Sequence, residues 1–183
     1  MAIGSSTGGP SALSTLLRSL PTGFPVPVLV AQHMTPGFTS GLVNWLQAAS
    51  ALPLKVADDG ERARPGTVYF APDDRHLLLE ARMVLSISCA PPVHAVRPSV
   101  SVLFESVART CGSEAIGVLL TGMGKDGADG LRVIREAGGF GIVQDKESSA
   151  VWGMPGAAVA LGAYDLMLPL GDIGRTLVRI LVQ

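Results

Sequence analysis

The sequence predicts an α/β protein with a doubly wound, mostly parallel sheet that carries helices on both faces. Short, continuous apolar runs alternate along the chain with segments whose apolar residues recur at helical spacing, which is typical of strands buried between layers of helices. Hydrophobic residues make up 48% of the 183 residues and charged residues only 16%, which favours one large domain with a sizeable core. Glycine-rich turns follow several predicted strands, where parallel sheets bind their ligands.

The start of the chain has the pattern of a strand that turns sharply into a helix. A short apolar lead-in ends in Gly4, small hydroxyl residues and two glycines follow, and Pro10 stands where a helix can begin. This pattern places Ser5 and Ser6 on a tight turn beside the free backbone N–H groups at the positive end of a helix. Such a turn binds a phosphate, or it stabilises the oxyanion that forms when a serine attacks a carbonyl.

Strands and helices alternate along most of the remaining chain. After a predicted strand at 26–31, Thr35 is predicted to cap a helix that has Pro36 at its first position. Residues 54–88 differ, because short strand-like pieces are separated by Asp-Gly and Pro-Gly turns, and they predict an antiparallel hairpin excursion at one edge of the sheet. The alternation then resumes, with predicted strands at 115–120, 141–144 and 164–168 and predicted helices at 98–112, 128–137, after 155 and at 173–181.

Composition excludes several classes of function. The net charge is −1, from 14 basic and 15 acidic residues, and without a run of like charge neither nucleic acid nor an anionic membrane is expected as the main partner. Cys89 and Cys111 lack the spacing of metal ligands and are interpreted as buried free thiols in a reducing compartment. The sequence has no signal peptide and no membrane-spanning apolar run. Because the first strand is so short, we expect residues 1–183 to be a single domain excised from a longer chain.

The first glycine loop nearly matches a nucleotide-binding P-loop. Gly4 and Gly9 have the four-residue gap of that motif, and Ser11 stands where its hydroxyl residue would be. Pro10 occupies the position of the lysine that supplies positive charge to the β- and γ-phosphates. Since proline has neither a charge nor an N–H group, phosphate binding is disfavoured at this loop.

The second glycine loop, at 122–127, matches a dinucleotide-binding fingerprint. Gly122, Gly124 and Gly127 fit G-x-G-x-x-G between a predicted strand and a predicted helix, and Asp145 lies about where a ribose-binding acid should stand. Asp126 argues against this interpretation, because its carboxylate would crowd the pyrophosphate. The same carboxylate is well placed to orient a histidine by accepting its Nδ1–H.

Three residues that each follow a predicted parallel strand suggest a catalytic triad. Ser6 would be the nucleophile, His33 the base and Asp126 the orienting acid, although from the residues alone Ser5 stays open as the nucleophile. The chain order differs from that of α/β-hydrolases, and G-x-S-x-G is absent. The weaker histidine candidates are His76, interpreted as a surface residue of the hairpin region, and His94, interpreted as exposed or at the lip of a substrate site.

Six segments, spread over nearly the whole chain, carry a resemblance to a known family. They are residues 2–10, 32–34, 71–72, 98–100 with 103–104, 120–128 and 153–155. The Ser-Thr-Gly-Gly turn in the first and the Thr-Gly-Met-Gly-x-Asp-Gly loop in the fifth are specific in combination. In this order the segments resemble the catalytic domain of the bacterial chemotaxis protein-glutamate methylesterases, which are also protein-glutamine glutaminases.

The resemblance implies a fold, a site and a reaction. The fold is a doubly wound sheet with a β-hairpin, and the site needs no metal or organic cofactor. The family's nucleophile falls on Ser6, its histidine on His33 and its aspartate on Asp126, with backbone oxyanion contacts near Thr7 and Met123. The implied reaction is the hydrolysis of glutamate methyl esters, and by the same route the deamidation of glutamines.

The resemblance also implies partners. They are the cytoplasmic domains of methylated chemotaxis receptors and, in a full-length chain, the N-terminal receiver domain that family members usually carry. The location is cytoplasmic, without nucleic acid and without membrane insertion. Two positions depart from the family pattern: Ser101 stands where Asp is common, and Lys125 where Asn is frequent.

Two alternatives to a hydrolase remain. One is an NAD(P)-binding Rossmann-type domain that uses the glycines of the 122–127 loop together with Asp145. The other is a non-catalytic signalling module that keeps the fold and binds receptors. Intact Ser6, His33 and Asp126 weigh against the module, because a protein without catalytic chemistry has no need of all three.

Overall fold

A computed structural model describes residues 1–182, in which strands and helices alternate as predicted. The strands are β1 (Ala2–Ser5), β2 (Val28–Gln32), β3 (Leu54–Val56), β4 (Val68–Phe70), β5 (His76–Glu80), β6 (Val84–Ser88), β7 (Ile116–Leu119), β8 (Phe140–Gln144) and β9 (Leu166–Leu168). The helices are α1 (Gly9–Arg18), α2 (Thr39–Gln47), α3 (Val100–Cys111), α4 (Ala128–Glu136), α5 (Met154–Ala160) and α6 (Leu170–Leu181). In this part of the chain, every helix is too short or too polar to cross a membrane.

The central sheet has seven strands in the order β3-β4-β2-β1-β7-β8-β9, and all its pairs are parallel. Its middle strand, β1, is fully buried between β2 and β7. The chain therefore leaves β1 at the middle of the sheet's carboxyl edge, with the end of β2 on one side and the end of β7 on the other. This confirms the predicted fold class and defines one place where ligands can bind.

Two apolar cores lie on opposite faces of the sheet. Because successive residues of a strand point to opposite faces, Ala2 joins the core beneath α3, α4 and α5, whereas Ile3 joins the core beneath α1, α2 and α6. Continuous apolar strands are thus buried on both sides, as the sequence pattern predicts. The helices bury one face each, and in α1 that face includes Leu13, Leu16 and Leu17.

The antiparallel excursion is narrower than predicted. β5 and β6 pair antiparallel, with His76 opposite Ser88, and the stretch 60–63 runs antiparallel to β6 through a bridge between Arg62 and Val84. By contrast, β3 and β4 join the central sheet as parallel strands. The turns at 59–60 and 65–66 therefore lie in a connection between parallel strands and not in hairpins. Turn dipeptides mark where the chain reverses, but they do not specify a strand's partner, and β4 is hydrogen-bonded to β2 and β3.

Two local predictions are wrong. Helix α2 begins at Thr39 and not at Pro36, because its first turn is capped by a distant residue: Asp73 Oδ1 accepts hydrogen bonds from the Thr39 N–H and Oγ at 3.3 and 2.6 Å. Cys89 is exposed just past the end of β6, although Cys111 is partly buried. By contrast, α3 lies within two residues of its predicted range of 98–112, since it begins after Ser99 and ends before Gly112.

Candidate active site

Backbone pairing brings the ends of β1, β2 and β7 together. Ser5 pairs with Gln32, and the His33 N–H donates to the Ser5 carbonyl at 2.9 Å. On the other side, the Ser6 N–H donates to the Thr121 carbonyl at 3.0 Å. Ser6 therefore lies between His33 and the loop 121–127 at the carboxyl edge of the sheet.

His33 and Asp126 are in direct contact. The Nε2 of His33 lies 2.8 Å from Asp126 Oδ2, and the Asp126 residue is only 3% exposed. The expected use of Nδ1 is therefore wrong, because the ring approaches the carboxylate through Nε2. Sequence spacing cannot specify which edge of the imidazole faces its partner. With Nε2 engaged, Nδ1 is the ring nitrogen left to accept a proton.

The N-terminus of α3 surrounds the Asp126 carboxylate. Oδ2 accepts the Val100 N–H at 2.6 Å, and Oδ1 accepts the Ser101 N–H at 3.2 Å and the Ser99 hydroxyl at 2.8 Å. The first N–H groups of a helix have no partners within the helix, and they lie at its positive end. The carboxylate thus occupies a binding place for anions that the fold itself provides.

These contacts keep Asp126 ionised in a buried position. Burial would raise the pKa of its carboxyl group, but the hydrogen bonds from His33, the Ser99 hydroxyl and the Val100 N–H outweigh burial and lower the pKa from 3.8 to about 2. The sequence places Ser99 at the start of a helix but gives no sign that its hydroxyl donates a hydrogen bond to Asp126. The missing information was tertiary, since Ser99 and Asp126 are 27 positions apart.

Ser101, which departs from the family pattern, has a definite local role. Its buried hydroxyl accepts the Gly127 N–H at 2.8 Å. A carboxylate at position 101 would stand beside Asp126, whose Oδ1 already accepts the Ser101 N–H. Lys125, the second departure, is exposed on the loop and makes none of the hydrogen bonds that hold the Asp126 carboxylate.

Ser6 is the accessible serine of the turn. It is partly exposed, whereas Ser5 is fully buried and donates its hydroxyl to Gln32 Oε1 at 2.6 Å. Within residues 1–182 the Ser6 hydroxyl makes no hydrogen bond, so this structure does not join it directly to His33. Such bonds often tighten only when substrate is bound.

Two unpaired backbone N–H groups flank Ser6. Across the described chain, no acceptor takes the N–H of Thr7 or of Met123. Gly122, which precedes Met123, packs closely against Ser6, because a Cβ on Gly122 would lie 2.7 Å from the Ser6 Cβ. Unpaired N–H donors beside a serine can stabilise an oxyanion when they point to the same position.

The other two histidines lie outside this arrangement. His76 is 0% exposed, so its predicted surface position is wrong. The inner face of the hairpin packs on α3, where His76 Nδ1 accepts the Ser99 N–H at 3.1 Å and Nε2 faces the Pro91 carbonyl at 3.2 Å. His94 is partly exposed, as expected, and its Nε2 lies 3.8 Å from Asp129 Oδ2.

The groups of the 122–127 loop that would bind a dinucleotide already form hydrogen bonds within the protein. At the N-terminus of α4, where a pyrophosphate would bind, Ser101 takes the Gly127 N–H and the Lys125 carbonyl takes the Ala128 N–H. The Asp145 carboxylate accepts hydrogen bonds from the N–H and hydroxyl of Ser148. These contacts disfavour a nucleotide at this loop.

Comparison with known proteins gives consistent matches over nearly the whole chain. The profile of the family described as CheB methylesterase matches residues 1–177. A protein-glutamate methylesterase/protein-glutamine glutaminase of Nitrosospira multiformis is 49% identical over 181 residues, which are 99% of this chain and 51% of that protein. A second protein of that name, from Anaeromyxobacter dehalogenans, is 53% identical over 175 residues, or 96% of this chain and 51% of the relative. The chain thus spans about half the length of the curated relatives that it matches.

A solved structure matches the fold closely. The crystal structure of the Thermotoga maritima CheB methylesterase catalytic domain superimposes with a TM-score of 0.95 at 41% sequence identity. The match covers 98% of this chain and 96% of that one. The similarity therefore extends over nearly the whole chain.

Proposed function

Because the chain belongs to the CheB methylesterase family, we propose that it hydrolyses glutamate methyl esters and deamidates glutamines on methyl-accepting chemotaxis receptors. The observation that carries the proposal is the 2.8 Å contact between His33 and the ionised Asp126 beside the accessible Ser6. The printed names of the relatives describe these two activities of those proteins.

In the first half of the proposed reaction, Ser6 Oγ attacks the ester carbonyl. Nδ1 of His33 takes the hydroxyl proton, while Asp126 holds the Nε2–H and stabilises the imidazolium that forms. The N–H groups of Thr7 and Met123 donate hydrogen bonds to the carbonyl oxygen and stabilise the negative charge that develops on it. An oxyanion donor of this kind contributes a factor of about 10² or more in rate.

The tetrahedral intermediate then collapses. His33 returns the proton to the leaving oxygen, methanol departs, and the glutamate side chain stays bound to Ser6 as an acyl group. In the second half, His33 takes a proton from water and the resulting hydroxide attacks the acyl carbonyl. As the acyl–Oγ bond breaks, His33 returns this proton to Ser6 Oγ, and the glutamate side chain is released. A glutamine amide follows the same route and releases ammonia.

The surroundings of Ser6 suit a side chain presented by another protein. Met123, beside the site, is 73% exposed, and Phe38 is exposed on the loop that follows His33. A cavity of about 180 Å³ next to His33 is bordered by Met34 and Pro98 among others. We infer a cytoplasmic location from the receptor domain that serves as substrate, and a receiver domain in a longer chain is a further proposed partner.

Methanol release from a methylated receptor fragment tests the proposal. The folded chain should release methanol from the methylated fragment and none from the same fragment left unmethylated. Ammonia release from receptor glutamines tests the second activity in the same way. Binding of the methylated fragment with no methanol above background would contradict the proposal and would favour the non-catalytic module.

A further inference from the structure

We propose that Gln32 is a positioning residue that fixes the backbone on both sides of the reacting centre through one buried carboxamide. The inference rests on the proposed function, because it assigns to Gln32 the alignment of the Ser6–Thr7 peptide and of His33. Gln32 ends β2, immediately before His33, and is 7% exposed.

The carboxamide makes three hydrogen bonds, of which two join the end of β2 to the end of β1 and one holds the neighbouring His33 carbonyl. Its Nε2 donates to the Ser6 carbonyl at 2.9 Å and to the His33 carbonyl at 2.7 Å. Its Oε1 accepts the Ser5 hydroxyl at 2.6 Å. One side chain therefore connects the backbone of the proposed nucleophile with the backbone of the proposed base.

The orientation of this amide follows from the chemistry of its neighbours. The carbonyls of Ser6 and His33 can only accept hydrogen bonds, so the NH₂ group of Gln32 must face them. The Oε1 atom then faces Ser5, whose hydroxyl must donate. Buried Ser5 thus holds the amide in the orientation that Ser6 and His33 need.

The link to catalysis is the planarity of one peptide. The Ser6 carbonyl and the Thr7 N–H belong to the same peptide unit, which is flat. Two donors hold that carbonyl, the Gln32 Nε2 and the Gly9 N–H at 2.7 Å. They thereby set the direction of the Thr7 N–H, and they polarise the amide so that this N–H is a stronger donor. Donors that are aligned before the reaction stabilise an oxyanion best.

Gly9 provides the space for this arrangement. A Cβ on Gly9 would overlap the Gln32 Oε1 and would lie 3.0 Å from the Ser5 Cβ. The lack of a side chain at the start of α1 therefore admits the carboxamide beneath the turn. The Gly-Gly pair serves the site by leaving room for Gln32 as well as by shaping the turn.

The test replaces the two donors while keeping the size of the side chain. In Gln32→Glu a carboxylate faces the carbonyls of Ser6 and His33, so we expect kcat to fall by about tenfold or more, less than the loss of a direct oxyanion donor. KM should stay within about twofold, since Gln32 is buried and does not contact substrate. Gln47→Glu is the matched control, because the Gln47 amide also bridges backbone groups, at Leu54 and Leu52, but lies at the far end of α2.

A second readout separates this inference from the proposed substrate. The rate at which a fluorophosphonate labels Ser6 reports on the nucleophile and its oxyanion donors without any receptor. Labelling should slow in Gln32→Glu and in the uncharged Gln32→Met. In the milder variant Ser5→Ala, the labelling rate should fall by only about fivefold, the equivalent of one ordinary hydrogen bond. Circular dichroism and the melting temperature establish that each variant is folded.

The outcomes are distinguishable. If the wild-type chain labels at Ser6 but releases no methanol, the proposed substrate is wrong, and the labelling rates still decide the role of Gln32. If folded Gln32→Glu and Gln32→Met label Ser6 and turn over ester at the wild-type rate, the assignment of Gln32 is overturned. A rise in KM with unchanged kcat would also overturn it.

Discussion

At the scale of single residues, Asp126 shows how a buried carboxylate stays charged. It accepts hydrogen bonds from the imidazole of His33, from the Ser99 hydroxyl and from the N–H groups of Val100 and Ser101. Because all four partners donate hydrogen bonds, the side chain at position 126 must be an acceptor on both oxygens, as an ionised carboxylate is. An asparagine has nearly the same shape but presents a donor on one side.

Asp126→Asn should therefore keep the fold and lose most of the activity. If the NH₂ group takes the position of Oδ2, it faces both His33 Nε2 and the Val100 N–H, donates to Nε2 and places the ring proton on Nδ1, where the Ser6 proton must go. If it takes the position of Oδ1, it faces the Ser99 hydroxyl and the Ser101 N–H, and the imidazolium loses the negative charge that stabilises it. We expect kcat to fall by orders of magnitude, up to about 10⁴-fold as for other wrong-tautomer variants. Activity within threefold of wild type, in a variant folded by circular dichroism, would defeat the proposed role.

The pH dependence should follow the histidine alone. His33 must be neutral to accept the Ser6 proton, so kcat/KM should rise as the pH is raised from acid conditions. Asp126 adds no step near neutral pH, because its pKa is about 2. A profile that is flat from acid to neutral pH at constant stability would be inconsistent with His33 as the base.

The sequence identified the residue types of the candidate site but not their contacts. Ser6, His33 and Asp126 each follow a strand, and parallel topology alone predicts that strand ends meet. The ring edge that His33 offers, and the partners of Asp126 at α3, depend on residues 25 to 93 positions away. His76 was misplaced for the same reason, since its burial depends on how the hairpin packs on α3.

At the scale of elements, the hydrogen bonds from the N-terminus of α3 make the free energy of unfolding depend on the ionisation of Asp126. The folded-state pKa of Asp126 is depressed because its hydrogen bonds outweigh burial, so its stabilisation is present above the unfolded value of 3.8 and is lost as the pH falls toward 2. A shift of this size corresponds to about 2 kcal/mol.

Acid unfolding measures that coupling. Between pH 4 and 2, the free energy of unfolding of the wild-type chain should fall by about 2 kcal/mol more than that of Asp126→Asn. The variant subtracts the titration of the other carboxylates. Parallel curves for the two proteins, from urea titrations at each pH, would show that α3 does not stabilise the charge.

We expect no nucleotide to bind at the N-terminus of α4. The N–H groups of Gly127 and Ala128 are already taken, and the Asp126 carboxylate is nearby to repel a pyrophosphate. Isothermal titration with NAD and with NADP should detect no binding. Micromolar affinity for either would revive the dinucleotide-binding alternative.

Errors in the predicted elements share one cause. The helix α2 starts later than its local signals suggest because Asp73, from the loop after β4, caps Thr39. The strands β3 and β4 have the local pattern of a hairpin but pair in parallel within the central sheet. Local patterns predicted where elements exist, whereas partners and caps from distant segments decided their bounds and directions.

At the scale of the whole molecule, strand order assembles the candidate site. β1 lies in the middle of the sheet with β2 and β7 as neighbours, so three segments distant in sequence end side by side. The cores on both faces of the sheet hold these strand ends in place. The residues of the candidate site thus follow fully buried strands, while Met123 and Phe38 are exposed to solvent.

We propose that Ser6 attacks the ester with the help of His33 and Asp126, and the neighbouring serine provides a matched control. The measurement is methanol release from a methylated receptor fragment by wild type, Ser6→Ala and Ser5→Ala. Ser6→Ala should lose activity by about 10⁴-fold or more, as expected for a missing nucleophile, whereas Ser5→Ala should lose only about fivefold, the equivalent of the one hydrogen bond by which Ser5 orients Gln32. Near-wild-type methanol release by folded Ser6→Ala would contradict the account.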